Sequence, residues 1–222
     1  MFSPSALEIQ TDRLLLRRFR QADLDAFVAY RSDEHVARFQ SWDQSYSKAD
    51  AERFLAEDSA VAPGQPGRWL QLAIEERGTG NLCGDCAVCV SEEQPRTVEL
   101  GVTLAPHYQN HGIASEVLTA TLDWLFGEHE MHRVYAQVDD RNKAAHRLLE
   151  RLGLRLEARL IEADWFEGEW VTLRIYAVLK RNGLSFANSR DAGANVEHNF
   201  QLWGRLDSNQ RPPDYESGAL TN

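Results

Sequence analysis

No run of eighteen apolar residues occurs in this 222-residue sequence, so nothing in it has the length and apolarity that a membrane-spanning helix requires. The opening MFSPSALEIQ has neither a basic start nor an apolar stretch for export, and a cytoplasmic location is the expectation. Cations are in deficit: 24 Lys and Arg face 34 Asp and Glu, a formal charge of −10. Nucleic-acid and anionic-membrane surfaces need clustered Lys and Arg, so neither partner is expected, whereas a cationic partner such as an amine suits the balance. Cysteine is scarce. The three present, Cys83, Cys86 and Cys89, form CxxCxxC within NLCGDCAVCV, which reads as a strand; alternation then puts Cys83 and Cys89 on one side and Cys86 on the other. With no fourth Cys, a zinc site or four-Cys cluster is incomplete, and buried reduced thiols without metal are expected. His107 and His111 lie four apart, but in a loop bracketed by Pro106 and Gly112, and no Glu follows His107 as the zinc-binding helix motif requires.

What is present is enough apolar residue, 43% of the chain, for one good core, which favours one domain plus extra material. Residues 13–18 read as a strand, ADLDAFVAYRSDEHVARF as a helical stretch with apolar Leu24, Phe27, Val28 and Val36, and KADAERFLAEDSA as a helix behind a Ser47/Asp50 capping box. WLQLAIEE, RGTGN and LCGDCAVCV make strand, turn and strand. HRVYAQVDD is a further strand, Asn142 caps a short helix with Ala145, Leu148, Leu149 and Leu152 on one face, and LRLEARLIEADW and EWVTLRIYAVLKR pair around an FEG turn. The fold class expected is α+β, a mixed sheet flanked by helices.

The most informative segment joins the strand VELGVTL to the helix IASEVLTATLDWLF through APHYQNHG. In the helix, Ile113, Val117, Thr121 and Leu125 share a stripe widened by Leu118, Leu122 and Phe126. Between the two elements, Gln109, Asn110, His111 and Gly112 leave unpaired N–H groups at a positive helix start, where an anion would satisfy them. A small residue at a helix start is common in many folds, so the loop alone does not decide the chemistry. It lacks the Lys-Ser/Thr of a nucleotide P-loop and the three glycines of a dinucleotide fingerprint.

The spacing Gln109, Gly112, Ala114 resembles the acyl-CoA pyrophosphate loop of the GNAT N-acetyltransferases. TDRLLLRRF, VELGVTLAP, NKAAHRLLERLGL and WFEGEW follow in the family's order, and together they are most similar to the RimJ/RimL branch, whose best-known members acetylate protein N-termini. The resemblance covers residues 7–181 and implies an acyl-CoA N-acyltransferase fold with a mixed, mostly antiparallel sheet. It implies acetyl-CoA as acetyl donor, with pantetheine pairing along the open edge of the strand carrying Val102 and Leu104. The pyrophosphate would sit on the amides of Gln109, Asn110, His111, Gly112, Ile113 and Ala114, with Asn142 near the pantetheine arm and Arg147 within reach of nucleotide phosphates. Glu99 matches the strand carboxylate that takes the amine's proton; its other readings are an electrostatic anchor for the ammonium and a solvated strand residue. Where relatives place Ser or Tyr near the departing sulfur, this chain has Ala145 and Leu149. The loop's Asn110 and His111 stand where relatives often carry Gly and a basic residue.

Trp42 and Trp165, placed at predicted loops, are the candidate walls of an acceptor pocket, against the general tendency of aromatic residues to be core. The function expected is acetyl transfer from acetyl-CoA to a primary amine, in first place a protein or peptide N-terminus. A binding module of the same fold that senses acyl-CoA, and an acetyltransferase of small amines such as aminoglycosides or polyamines, are the alternatives. Oligomeric state is left open. Residues 182–222 lack periodicity and are rich in Gly, Asn, Ser, Asp and Pro, the composition of a disordered extension. RLDSNQRPPDYESGALTN also resembles a conceptually translated transfer-RNA gene, so the reading frame is expected to run past the true domain. Intact mass from the native host tests this: a chain ending near residue 181 supports it and a full-length chain counts against it.

Overall fold

The computed structural model describes residues 7–40, 42, 45–166, 168–183 and 201–202. In chain order the elements are β1 (Ile9–Gln10), β2 (Leu14–Arg17), α1 (Leu24–Arg31), α2 (Glu34–Ala37), α3 (Lys48–Ala60), β3 (Trp69–Glu76), β4 (Leu82–Val90), β5 (Thr97–Leu104), α4 (Ile113–Gly127), β6 (Arg133–Asp139), α5 (Lys143–Arg151), β7 (Arg155–Phe166), β8 (Glu169–Leu179), α6 (Lys180–Gly183) and β9 (Gln201–Leu202). The strands form one sheet in the order β1-β2-β3-β4-β5-β6-β8-β7, with β9 on β5. Only β5 and β6 run parallel among these pairs, so the mixed, mostly antiparallel sheet expected from the sequence is present.

One face of this sheet is sealed. Val98, Leu100, Val102 and Leu104 of β5 alternate toward α4 and α5, where Val117, Leu118, Leu122 and Leu125 meet them together with Leu148 and Leu149. The stripe read in the helix sequence is the face that α4 buries. The opposite face is covered over β3 and β4 by α1 to α3: Phe27, Tyr30, Val36, Trp42 and Ala51 lie over Ala73 and Ala87, whose small side chains let the aromatic rings approach.

Two elements differ from the sequence reading. The helical stretch through residue 39 is broken at Ser32 and Asp33, because the Asp33 side chain accepts from the N–H groups of His35 and Val36 and starts a second helix from an extended conformation. The side assigned to Cys83 is also corrected. A register shift against β3 between Ile74 and Glu75 places an extra residue in β4, so Cys83 turns into the α4-side core with Cys86 while Cys89 stays on the other face. Gly84 follows this bulge, and a Cβ there would lie 2.1 Å from the Thr103 carbonyl oxygen, which requires glycine. The Ser47/Asp50 capping box is present, with reciprocal side-chain to backbone bonds.

Most of the segment expected to be disordered lies outside the described residues. The exceptions are Asn182 and Gly183, which close α6, and β9, whose Leu202 and Gln201 pair with Val102 and Thr103. This pairing has a physical reason. β5 meets β6 only through Thr97↔Arg133, Val98↔Val134 and Glu99↔Tyr135, after which the strands part, and main-chain groups on the opened edge need a partner.

Candidate active site

The parting of β5 and β6 creates a wedge with Glu99 at its apex, the last paired position of β5. Cross-strand pairing lines up Trp69, Cys89, Glu99, Tyr135 and Ala177 in one row across the sheet, on the face that α4 does not cover. Glu99 is 8% exposed. The Tyr135 hydroxyl donates to its Oε2 at 3.0 Å and the Gln137 amide Nε2 to its Oε1 at 3.2 Å. Burial pushes the carboxyl up to about 7, against the two hydrogen bonds, which favour the anion. A carboxyl poised there exchanges a proton readily near neutral pH.

Along the wedge, Val102 and Leu104 turn their side chains into the sealed core, at 0% and 1% exposure. What they offer a ligand is main chain. β9 occupies two positions of that edge, which shows that it accepts an extended, amide-bearing strand.

Beyond Leu104 the chain makes a 3-10 turn, Pro106–Tyr108, and enters the loop before α4. Asn110 and Gly112 both take left-handed conformations, φ 65° and 74°, on either side of His111, an alternation that gathers successive N–H groups into a concave nest. Among the described residues no hydrogen bond engages the N–H groups of His111, Gly112, Ile113 or Ala114. The amide of Gln109 is different: its N–H is spent on the Pro106 carbonyl. Its buried side chain donates from Nε2 to the Leu104 carbonyl at 3.0 Å, tying the loop to the end of β5. Gln109 therefore supports the loop, and the donor set expected from the sequence contracts to the residues after it. Ile113 and Ala114 are buried in the first turn of α4, leaving their amides as the groups a ligand would meet.

Asn142 caps α5, its Oδ1 accepting from the Ala145 N–H at 3.1 Å, and is itself 2% exposed. Arg147 is exposed on α5. Ala145 and Leu149 are buried and bring no hydroxyl to the wedge.

The two aromatic candidates separate. Trp42 is buried, its Nε1 donating to the Arg31 carbonyl at 3.1 Å and its ring 3.8 Å from the Arg31 guanidinium carbon, so it belongs to the core between α1 and the sheet. Trp165 lies in strand β7, not a loop. It is 57% exposed and packs edge-on against Trp170 at 5.3 Å between ring centroids.

Three contributors escaped the sequence reading. Tyr135 and Gln137 hold Glu99. Arg13 pairs with Glu116 in the first turn of α4 at 2.6 Å and donates to the His111 carbonyl at 3.2 Å, bracing the loop from outside. Pairing across distant strands is the only signal for the first two. A cation close to an anion-binding loop is the only signal for the third. The thiols are buried for Cys83 and Cys86 and pushed up to about 12 by burial. Among the described residues no three His, Cys, Asp or Glu side chains gather as metal ligands, and no helix is long and apolar enough to cross a membrane.

Residues 13–155 match the acetyltransferase (GNAT) domain family. The chain is similar to the uncharacterized N-acetyltransferase YoaA of Bacillus subtilis, 27% identical over 172 residues that make up 78% of this chain and 96% of that protein. Among solved structures it is similar to a GNAT-family acetyltransferase from Bacillus anthracis, with a TM-score of 0.69 and 27% identity over 78% of this chain and 99% of that one. The spermidine N-acetyltransferase of Vibrio cholerae, solved with CoA and spermine, shares the fold at a TM-score of 0.68 and 20% identity, covering 78% of this chain and 99% of its own.

Proposed function

This chain belongs to the acetyltransferase (GNAT) family and is an acetyl-CoA-dependent N-acyltransferase; we propose that its acceptor is the N-terminal amine of a protein or peptide and that Glu99 takes the amine's proton. Acetyl-CoA supplies an acetyl thioester. The chain has to hold that donor in line with an amine and take the ammonium proton before attack; as the C–N bond forms and the C–S bond breaks, the amine's second proton balances the CoA thiolate that leaves. The β5 edge from Val102 to Leu104, where β9 pairs at Val102 and Thr103, would recognise the amides of pantetheine in place of β9, and the nest of N–H groups from His111 to Ala114 would hold the pyrophosphate. Asn142 and Arg147 would serve the pantetheine arm and the nucleotide phosphates.

The observation that carries the reading is Glu99 itself. It is a nearly buried carboxyl at the apex of the wedge, titrating near neutrality, with both oxygens oriented by donors. An ammonium ion entering beside it gives its proton to the carboxylate and leaves a neutral nucleophile.

The preference for a single amine over a polyamine rests on charge. The carboxylates at the end of β6, just after it and on β7 are engaged by arginine: Asp139 by Arg141, Asp140 by Arg159 and Arg174, and Glu157 by Arg133 and Arg155. A polycation would have to displace them. The four sequence blocks that resemble the RimJ/RimL branch favour the same acceptor.

A second reading, an acyl-CoA sensor with little turnover, is favoured by the absence of a hydroxyl at Ala145 and Leu149. Thiol release from acetyl-CoA, measured with a panel of peptides and small amines, separates the two. Release that depends on a peptide amine and is lost in Glu99→Gln supports the enzyme, and CoA binding without release from any amine supports the sensor.

A further inference from the structure

We infer that Tyr135 and Gln137 are positioning residues that clamp both oxygens of Glu99 from the neighbouring strand and thereby set the pH at which the site can deprotonate an amine. This rests on Glu99 being the base.

The geometry comes from the parallel pairing. Tyr135 and Gln137 are two residues apart on β6, so both project from the same face, and Tyr135 is the direct partner of Glu99. One donates to each carboxylate oxygen. A carboxylate offers about four acceptor sites, so the clamp uses two and leaves two for the incoming ammonium or a bridging water. Because β5 and β6 part just beyond this point, the clamp bridges the two strands at the apex of the wedge.

The surroundings isolate this triad. Among the described residues, the titratable groups facing Glu99 are Cys89 from β4 and Tyr135 from β6. Arg133, two residues before Tyr135, has its guanidinium carbon 5.9 Å from the tyrosine ring but is bound to Glu157 at 2.5 Å. β8 contributes Ile175 and Ala177 opposite Gln137 and Tyr135. Asp85 lies further along the same face, opposite Thr103, beneath α1 with Arg31 3.9 Å away. Burial raises the Glu99 carboxyl, and among the described residues the Tyr135 and Gln137 hydrogen bonds oppose it. The same contact pushes the Tyr135 hydroxyl up, through burial first and the Glu99 charge second, which keeps it protonated and donating throughout the working range.

Removing a donor disfavours the carboxylate, so Glu99 should lose its proton only at higher pH. In Tyr135→Phe and Gln137→Leu the acid limb of the kcat/KM profile for the amine should move up by about one unit. Activity below the limb should fall roughly tenfold and recover above it, with KM for acetyl-CoA unchanged. A limb that stays in place, or a fall equal at every pH, overturns the inference, since a merely structural role lowers activity without moving the limb. A second readout needs no turnover: the side-chain carboxyl carbon of Glu99, isotope-labelled and identified by its loss in Glu99→Gln, is titrated by NMR in the full chain. An upward move in both variants supports the clamp, and an unmoved titration overturns it. Full activity in Glu99→Gln would instead remove the base reading while leaving the titration result standing, so the two failures are distinguishable.

Discussion

The two faces of the sheet share the same strands and differ in what covers them. Toward α4 and α5 the packing is aliphatic and continuous, with Leu100, Leu104, Leu118, Leu122 and Leu148 all at 2% exposure or less. The other face is built from aromatic rings around ions. Arg31 is enclosed by Phe27, Trp42 and Tyr46, at 4.4, 3.8 and 5.1 Å, and lies 3.9 Å from Asp85, while Arg17 is bound by Asp23 and Glu75. From Cys89 of β4 onward that face carries Glu99 and Tyr135 in one cross-strand row, with Gln137 two residues further along β6. The difference teaches where chemistry can be placed. A face closed by aliphatic packing supplies rigidity, and a face that tolerates charge can hold a carboxyl at a pKa useful near neutral pH.

The comparison breaks most visibly at Glu99. Glu99→Gln should lower kcat/KM for the amine by about 10²- to 10⁴-fold while CoA affinity holds, measured by thiol release and by calorimetry. The same substitution should raise stability at higher pH. The folded state keeps Glu99 protonated up to about 7 whereas its ordinary value is 4.5, so the wild type loses stability as pH rises through that window. The loss is on the order of 3 kcal/mol at most. Glu99→Gln removes it, and urea unfolding should show the variant gaining on the wild type at pH 8 and not at pH 4.

Substitutions on the covered parts of the two faces sharpen the contrast. Arg31→Met leaves Asp85 buried without its cation and should cost about 3–5 kcal/mol, much of it recovered in Arg31→Met with Asp85→Asn. Leu122→Ala on the aliphatic face should cost about 2–5 kcal/mol, with no second-site change of charge able to restore it. Urea midpoints of the four proteins decide this.

Smaller effects are expected where the wedge opens. Gly112 sits at φ 74°, and a Cβ there would meet the Arg13 Nη2 at 3.7 Å, an ordinary contact, so Gly112→Ala meets conformational strain and no clash. The cost, about 1 kcal/mol, should weaken CoA binding roughly fivefold in a titration. The least effect is the most selective: iodoacetamide should label Cys89, partly exposed beside Glu99, well before the buried Cys83 and Cys86. Peptide mapping should find that adduct, with amine use impaired and CoA binding kept.

The sequence revealed whatever depends on neighbours along the chain. The limits of β3 and β4, the capping box of α3, and the strand, loop and helix around Gly112 follow from local patterning and match the structure. It did not reveal what depends on pairing between distant segments. The side of Cys83 turns on a bulge against β3, which alternation within NLCGDCAVCV cannot register. Tyr135 and Gln137 acquire their role only because β6 lies parallel to β5. Gln109 was legible as a motif residue, but its amide and side chain are consumed by Pro106 and Leu104. Trp42 was placed at a loop and is buried, because the Arg31 cation draws aromatic faces around it.

The central claim is that the wedge between β5 and β6, ending in a nest of main-chain N–H groups, holds coenzyme A. Titration of CoA into the full-length protein, followed by calorimetry, tests it without knowledge of the acceptor. Saturable binding at one site per chain, weakened in Gly112→Ala, is the predicted result; a well-folded sample that shows no saturable binding would contradict it.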